Sequence, residues 1–256
     1  MSGRGLLHGQ VALVTGAGGG IGRGIARRLA EEGAAVALHC RTSVASAQET
    51  AVAIRDAGGR AVVLKADLTD EDACHRLVAE AAERFGGRLT ALVNNAGVQP
   101  VQELAGMTAA DWRAVVDTNL TAVFACTQAA ARLMRDQGGG SVTHIASVEA
   151  GFPAPGHAHY GASKAAVVMH ARSAALEYGP WGVRVNTVSP GLIDREGLSE
   201  AWPEGVRRWR EASAVGRLGR PEDVGDACVF LASPLASWVT GHDLVVDGGA
   251  TSRPTW

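Results

Sequence analysis

Short apolar runs alternate along the chain with longer segments of helical periodicity, and this alternation limits the possible folds more than any other feature. Val11–Thr15 reads as a strand, and Gly20–Glu32 as a helix that stops at Gly33. Ala35–His39 is a second strand, Ser43–Ala57 a helix ending at Gly58-Gly59, and Ala61–Lys65 a third strand. A helix from about Asp70 to Phe85, a strand at Thr90–Asn94 and a long helix from about Thr108 to Asp136 come next. The series closes with a strand at Ser141–Ala146, a helix at His157–Tyr178, a strand at Val183–Val188, a helix at Pro221–Ala232 and a short strand at Leu244–Val246. Strands that are apolar throughout, with helices between them, belong to a parallel sheet covered on both faces. Right-handed crossovers then give a single-domain α/β fold, a doubly wound Rossmann-type sheet of seven strands. The 256 residues suit one such domain.

The pattern breaks at 192–217, where Trp202, Trp209 and several charges lie between a strand and a helix. Loops at the carboxyl ends of parallel strands hold ligands, so this segment is expected to be a substrate lid. A plain surface excursion is the alternative.

Composition removes several function classes. The net charge is −2 with both signs scattered, which leaves no basic stripe for nucleic acid and no polybasic cluster for anionic lipid. No apolar run approaches the ~20 residues of a membrane span, and Met1–Gln10 lacks the apolar core of a signal peptide. Cys40, Cys74, Cys126 and Cys228 form no CxxC pair, so no metal site is expected. Reduced thiols and a cytoplasmic location are.

Between the first strand and first helix stands Thr15-Gly16-Ala17-Gly18-Gly19-Gly20-Ile21-Gly22. Glycines let a backbone turn tightly and approach a pyrophosphate at a positively polarised helix end. In this strand–turn–helix setting Gly16, Gly20, Ile21 and Gly22 are dinucleotide-binding candidates.

The spacing is GxxxGxG, and here the chain begins to resemble the short-chain dehydrogenase/reductase family. Asn94-Asn95-Ala96-Gly97, Asn119, Ser147, Tyr160-Gly161-Ala162-Ser163-Lys164 and Pro190-Gly191 follow in the family's order, so the resemblance runs from about Gly9 to Gly249. Among its members the chain resembles 3-oxoacyl-carrier-protein reductases and bacterial glucose dehydrogenases.

The resemblance implies a nicotinamide cofactor. The end of the second strand faces the adenosine ribose, where an acid would bond the 2′-hydroxyl and arginine would favour a 2′-phosphate. The family's acid falls at Cys40, while Arg41, Thr42 and Ser43 can hold a phosphate. NADP(H) is therefore expected as the preferred cofactor, with NAD(H) possible because Gly18-Gly19 lacks a basic residue. By resemblance Asp67 hydrogen-bonds and Leu68 packs against the adenine; taken alone, Asp67 can instead cap a helix, for which Asp70 is an equally good candidate. Asn94, Ala96 and Gly97 line the cofactor floor, with Asn94 on the ribose side. Pro190, Gly191 and the Ile193 backbone meet the carboxamide. Asp194 departs from the family's threonine.

Tyr160 and Lys164 are spaced i,i+4 and share one helix face. A free tyrosine titrates near ~10, so acid/base work near neutrality needs a shift of about three units, roughly 4 kcal/mol. A lysine ammonium supplies attraction of that sign. The family roles are Tyr160 as proton donor and acceptor, Lys164 on the nicotinamide ribose, Ser147 on the substrate oxygen, and Asn119 supporting Lys164 through a water. Taken singly, Asn119 can equally cap a backbone kink.

The expected reaction is hydride transfer between NADP(H) and a ketone or secondary alcohol. Gln99, Glu149, Phe152, His157, His159, Trp202 and Trp209 are candidate walls for a small-molecule substrate. Carrier-protein docking uses basic residues at places that here read Gln137-Gly138 and Trp181, which favours a free substrate over a 3-oxoacyl carrier. A non-catalytic NADP(H) sensor and an isomerase or dehydratase using the same tyrosine remain alternatives. The family also implies a homotetramer paired through the long helix, the Tyr-bearing helix and the last helix and strand.

Overall fold

A computed structural model describes residues 5–252. Seven parallel strands form one sheet: β1 (Val11–Val14), β2 (Ala35–Cys40), β3 (Arg60–Lys65), β4 (Ala91–Asn94), β5 (Gly140–Ile145), β6 (Val183–Pro190) and β7 (Asp243–Val246). Their order is β3-β2-β1-β4-β5-β6-β7. The order reverses direction at β1, between β2 and β4, and a ligand crevice opens beyond the carboxyl ends of strands at such a switch point.

The helices are α1 (Gly20–Glu31), α2 (Val44–Asp56), α3 (Glu71–Glu83), α4 (Ala109–Val116), α5 (Ala122–Asp136), α6 (Ala158–Tyr178), α7 (Leu198–Ala201), α8 (Pro203–Ala212) and α9 (Pro221–Ala232). Each of β1 to β6 splits its side chains between two cores, as a two-residue period requires. Ala12 and Val14 join Ile25 and Leu29 of α1 and Val224 and Leu231 of α9 on one face. Val11 and Leu13 join Leu77 of α3, Met134 of α5 and Ala174 of α6 on the other. The runs read as apolar throughout because both faces of β1 and β2 are covered.

Two sequence expectations need correction. The long helix over 108–136 is interrupted by a π turn at Asp117–Thr121, between α4 and α5. The segment 192–217 is not an irregular break: it contains α7 and α8, with Leu198, Val206 and Leu218 buried together against Leu192 and Trp209. Short helices with one narrow apolar stripe leave little periodicity to read. The capping question at the third crossover is also answered, because Asp70 accepts from the Asp72 amide and caps α3.

On the first face α1 and α9 meet backbone to backbone. A side chain at Gly24 would strike Pro221, and one at Gly225 would come within 3.0 Å of the Gly24 carbonyl. The contact fixes α1, and therefore the glycine turn that opens it. Gly24→Ala should cost about 1–3 kcal/mol, the usual price of overpacking. It is read as a lower urea midpoint; an unchanged midpoint would show that the two helices separate freely.

Candidate active site

The glycine turn is held from three strands. The Thr15 hydroxyl accepts the Asn95 and Ala96 amides at 2.9 and 3.0 Å, and the Asn95 side-chain amide donates to the carbonyls of Thr15 and Gly16. The Gly16 N–H donates to His39 Nδ1 at 3.1 Å, which leaves Nε2–H to donate to Ala66 O at 3.2 Å. These bonds define the uncharged tautomer of His39, and burial lowers its pKa.

Gly16 and Gly20 have φ of +66° and +48°, the left-handed region that favours glycine. A side chain at Gly22 would strike the Gly16 carbonyl, and one at Gly18 would lie 2.8 Å from Ser43 Cβ. The turn is thus a bare backbone concavity opening α1, whose first turn carries no acid. That fits the phosphates of a dinucleotide. Arg41, Thr42 and Ser43 stand exposed beside it, and Arg41 makes no ion pair among the described residues. The Cys40 side chain is buried.

Other expected cofactor contacts fall as follows. Asp67 is exposed and accepts the amide and hydroxyl of Thr69, bonds that lower its pKa. Leu68 is buried against the α3 side of the core. Asn94 turns its amide nitrogen inward, donating to Thr127 Oγ1 and His144 Nδ1 at 3.1 Å each. Of the two adjacent asparagines it is Asn95 whose side chain reaches the glycine turn, a division the Asn-Asn pair did not reveal. Ala96 and Gly97 continue this turn, with the Gly97 Cβ position 3.5 Å from Lys164 Nζ. Gly191 donates to Val246 O at 3.0 Å, and its Cβ position lies 3.2 Å from the Trp209 ring. Ile193 pairs with Gly219, and the exposed Asp194 accepts the Arg195 amide. The segment 192–217 is therefore seated over the end of β6 beside Pro190.

The four expected catalytic residues come together at the carboxyl ends of β4 and β5. Ser147 follows β5, and Tyr160 and Lys164 lie on α6. The Lys164 Nζ is 5.6 Å from the Tyr160 ring centre and donates to Ile145 O at 2.7 Å. Asn119 lies in the π turn, fully buried. Its Oδ1 accepts the Val98 amide, and its Nδ2 donates to Val98 O and Ser163 Oγ at 2.9 and 3.1 Å. Ser163 in turn donates to the Tyr160 carbonyl at 2.7 Å. Asn119 thus braces the Tyr-bearing helix through Ser163, a residue not singled out from the sequence.

Burial dominates the electrostatics. It pushes Tyr160 up to about 12, against a hydrogen bond from Ser147 that pulls it down, with the Glu149 charge adding to the rise. It also pushes Lys164 down to about 8. In the protein alone burial outweighs the attraction expected from their spacing, and the phenol stays above its ordinary value.

The substrate side is mixed. Glu149, Gln99 and His157 meet at the mouth, whereas Phe152 and Trp202 are largely exposed. His159 is buried: its Nδ1 accepts the Tyr160 amide at 3.0 Å, and its Nε2 has no partner among the described residues. At the carrier-docking place, Trp181 does have a cation over it, Arg135 at 5.2 Å, but that guanidinium is paired with Asp136.

A family model described as enoyl-(acyl carrier protein) reductase matches residues 16–251. The chain belongs to the short-chain dehydrogenase/reductase family. It is 42% identical over 245 residues to the cis-4-hydroxycyclohexanecarboxylate dehydrogenase of Sinomonas cyclohexanicum, covering 95% of this chain and 97% of that one. It is 37% identical to a 3-oxoacyl-[acyl-carrier-protein] reductase of Synechocystis sp., covering 95% and 97%. A gluconate 5-dehydrogenase from Burkholderia cenocepacia, solved with NADP and tartrate, superposes with a TM-score of 0.90 at 34% identity over 98% of each chain.

The phenol is open to direct titration, because Tyr178 is the only other tyrosine. In Tyr178→Phe, without added cofactor, ultraviolet titration should find Tyr160 ionising above the free value of ~10. Glu149→Gln in that background should lower the midpoint, since a like charge has been removed. A midpoint near neutrality in the parent would contradict the burial effect.

Proposed function

We propose that this chain is an NADP(H)-preferring oxidoreductase that moves hydride between the nicotinamide and a ketone or secondary alcohol. The observation that carries the proposal is the convergence of Ser147, Tyr160 and Lys164 beside a backbone cradle suited to a dinucleotide. A ring-borne secondary hydroxyl is favoured as the reacting group, given the substrate for which the 42%-identical relative is named.

The bound nicotinamide supplies the hydride acceptor or donor, and in its oxidised form a positive charge. In reduction, Tyr160 gives its proton to the carbonyl oxygen as hydride reaches the carbon; in oxidation it takes that proton back. Ser147, beside the phenol, would donate to the substrate oxygen and favour the charge that develops there. Lys164 would hold the nicotinamide ribose, and Asn119 would reach it through a water. A positive charge near the phenol offsets the burial that raises its pKa. The adenosine end would rest on the Gly16–Gly22 turn and the Asp67–Leu68 corner, with Arg41 and Thr42 on the 2′-phosphate. The helices of 192–217 would act as the lid.

Reduction of a 3-oxoacyl carrier is a second reading, favoured by the 37%-identical relative. The pairing of Arg135 with Asp136 weakens it, because a docking cation must be free to meet an acidic partner. We also propose a homotetramer. Met169 and Leu176 of α6 expose apolar surface, as do Leu235, Trp238 and Val245 near the C-terminal end. The four buried, unpaired cysteines agree with a reducing cytoplasm.

Tyr160→Phe should fold and bind NADPH, yet lose about 100-fold to 10,000-fold in kcat, the range of a general acid/base. Near-normal kcat would end the assignment. Separately, kcat/KM should favour NADPH over NADH, and Arg41→Ala should lower the NADPH value about tenfold while sparing NADH. A parent enzyme with a clear NADH preference would remove the role given to Arg41.

A further inference from the structure

Beside the reacting groups lies a polar cluster whose side chains the proposed hydride chemistry does not place on the reacting atoms. Glu149 lies two residues past Ser147, and its amide donates to the Ser147 hydroxyl at 3.1 Å. Its Oε1 accepts from Gln99 Nε2 at 2.9 Å, and its Oε2 accepts from His157 Nδ1 at 2.9 Å. Three segments meet here: the loop after β4, the turn after β5 and the approach to α6. The Gln102 amide, donating to Gly156 O at 2.8 Å, joins the first and last of them. The His157 ring lies 6.1 Å from the Tyr160 ring, so the cluster borders the place where a substrate oxygen would sit. The Glu149 and His157 side chains keep 16% and 17% of their exposure, which leaves them dehydrated on one side and reachable on the other.

The free positions in this cluster are nearly all acceptors. Each Glu149 oxygen uses one of its two lone-pair positions. Gln99, with Nε2 given to Glu149, keeps its Oε1 as a further acceptor. A half-buried carboxylate with free acceptor positions attracts donors and repels anions.

We propose that Gln99, Glu149 and His157 form a specificity wall that recognises a second hydrogen-bond donor, a hydroxyl or an ammonium, carried near the reacting carbon. The same wall disfavours substrates that place a carboxylate there. This assignment rests on the oxidoreductase reading above and names the substrate class of that site. If the cluster were only a brace between loops, its loss would affect every substrate alike; a wall changes the ratio between substrates.

The test compares cyclohexanol, the cyclohexanediols, 4-aminocyclohexanol and 4-hydroxycyclohexanecarboxylate as substrates of the parent, Glu149→Gln and Gln99→Ala. In the parent, kcat/KM for a diol or the amino alcohol should exceed that for cyclohexanol, and the carboxylate should fall below it. Glu149→Gln should cut the donor-to-cyclohexanol ratio about tenfold and raise the carboxylate ratio. The amino alcohol separates the two donor types: an advantage confined to it assigns the wall to ammonium, and one shared with a diol assigns it to donors generally. Ratios that stay within about twofold of the parent in both variants overturn the wall. Should the parent oxidise none of these alcohols, the reaction proposed above fails instead. The wall is then read from calorimetric binding with NADPH present: tighter binding of a diol than of the carboxylate supports it, and equal affinities overturn it.

Discussion

The hydroxyl of Thr15 is the point on which the architecture of the site depends. It accepts two successive amides, from Asn95 and Ala96, at the carboxyl end of the neighbouring strand. That pairing, with the return bonds of the Asn95 amide to the Thr15 and Gly16 carbonyls, fixes the glycine turn against β4. His39 completes the lock from β2. Buried polar groups are costly unless satisfied, and here each satisfies another at the place where the sheet changes direction. A turn bare enough to admit a pyrophosphate can therefore remain rigid. The backbone faces the crevice, while the side chains that hold it lie behind.

The same arrangement links the two halves of the site. The chain leaving Asn95 passes Gly97 and Val98, and Val98 is bonded in both directions by Asn119. Asn119 then reaches Ser163, and Ser163 the Tyr160 carbonyl. A continuous path of short hydrogen bonds thus runs from the glycine turn to the helix carrying Tyr160. The π turn belongs to this path, because an extra residue in one helical turn is a recurring way to re-aim a side chain at a functional site.

Much of this was legible in the residues. Apolar runs covered on both faces gave the parallel sheet, and the ordered motifs located Ser147, Tyr160, Lys164 and the glycine turn. What escaped reading has identifiable physical causes. Which of Asn94 and Asn95 braces the glycine turn depends on which way the chain leaves β4, and neighbouring identical residues carry no such signal. The π turn changes hydrogen-bond register without changing hydrophobic periodicity. The helices at 192–217 bury only a narrow stripe, so their charges concealed them. The Glu149–His157–Gln99 cluster joins residues up to 58 positions apart through a tertiary contact that no local pattern encodes.

The electrostatics of Tyr160 and Lys164 show what an i,i+4 spacing does and does not settle. Spacing places the two groups on one face, and attraction between an ammonium and a phenolate suggests a depressed phenol. Burial acts on both groups at once and disfavours charge on each, raising the phenol and lowering the amine. Lys164 also gives a hydrogen bond to Ile145 O. The protein therefore builds a dry, pre-aligned pair whose phenol stays protonated on its own, the form suited to giving a proton to a carbonyl oxygen. A further positive charge in the crevice would move it toward the phenolate that oxidation requires. The Glu149 carboxylate, which raises the same phenol, acts in opposition to such a charge.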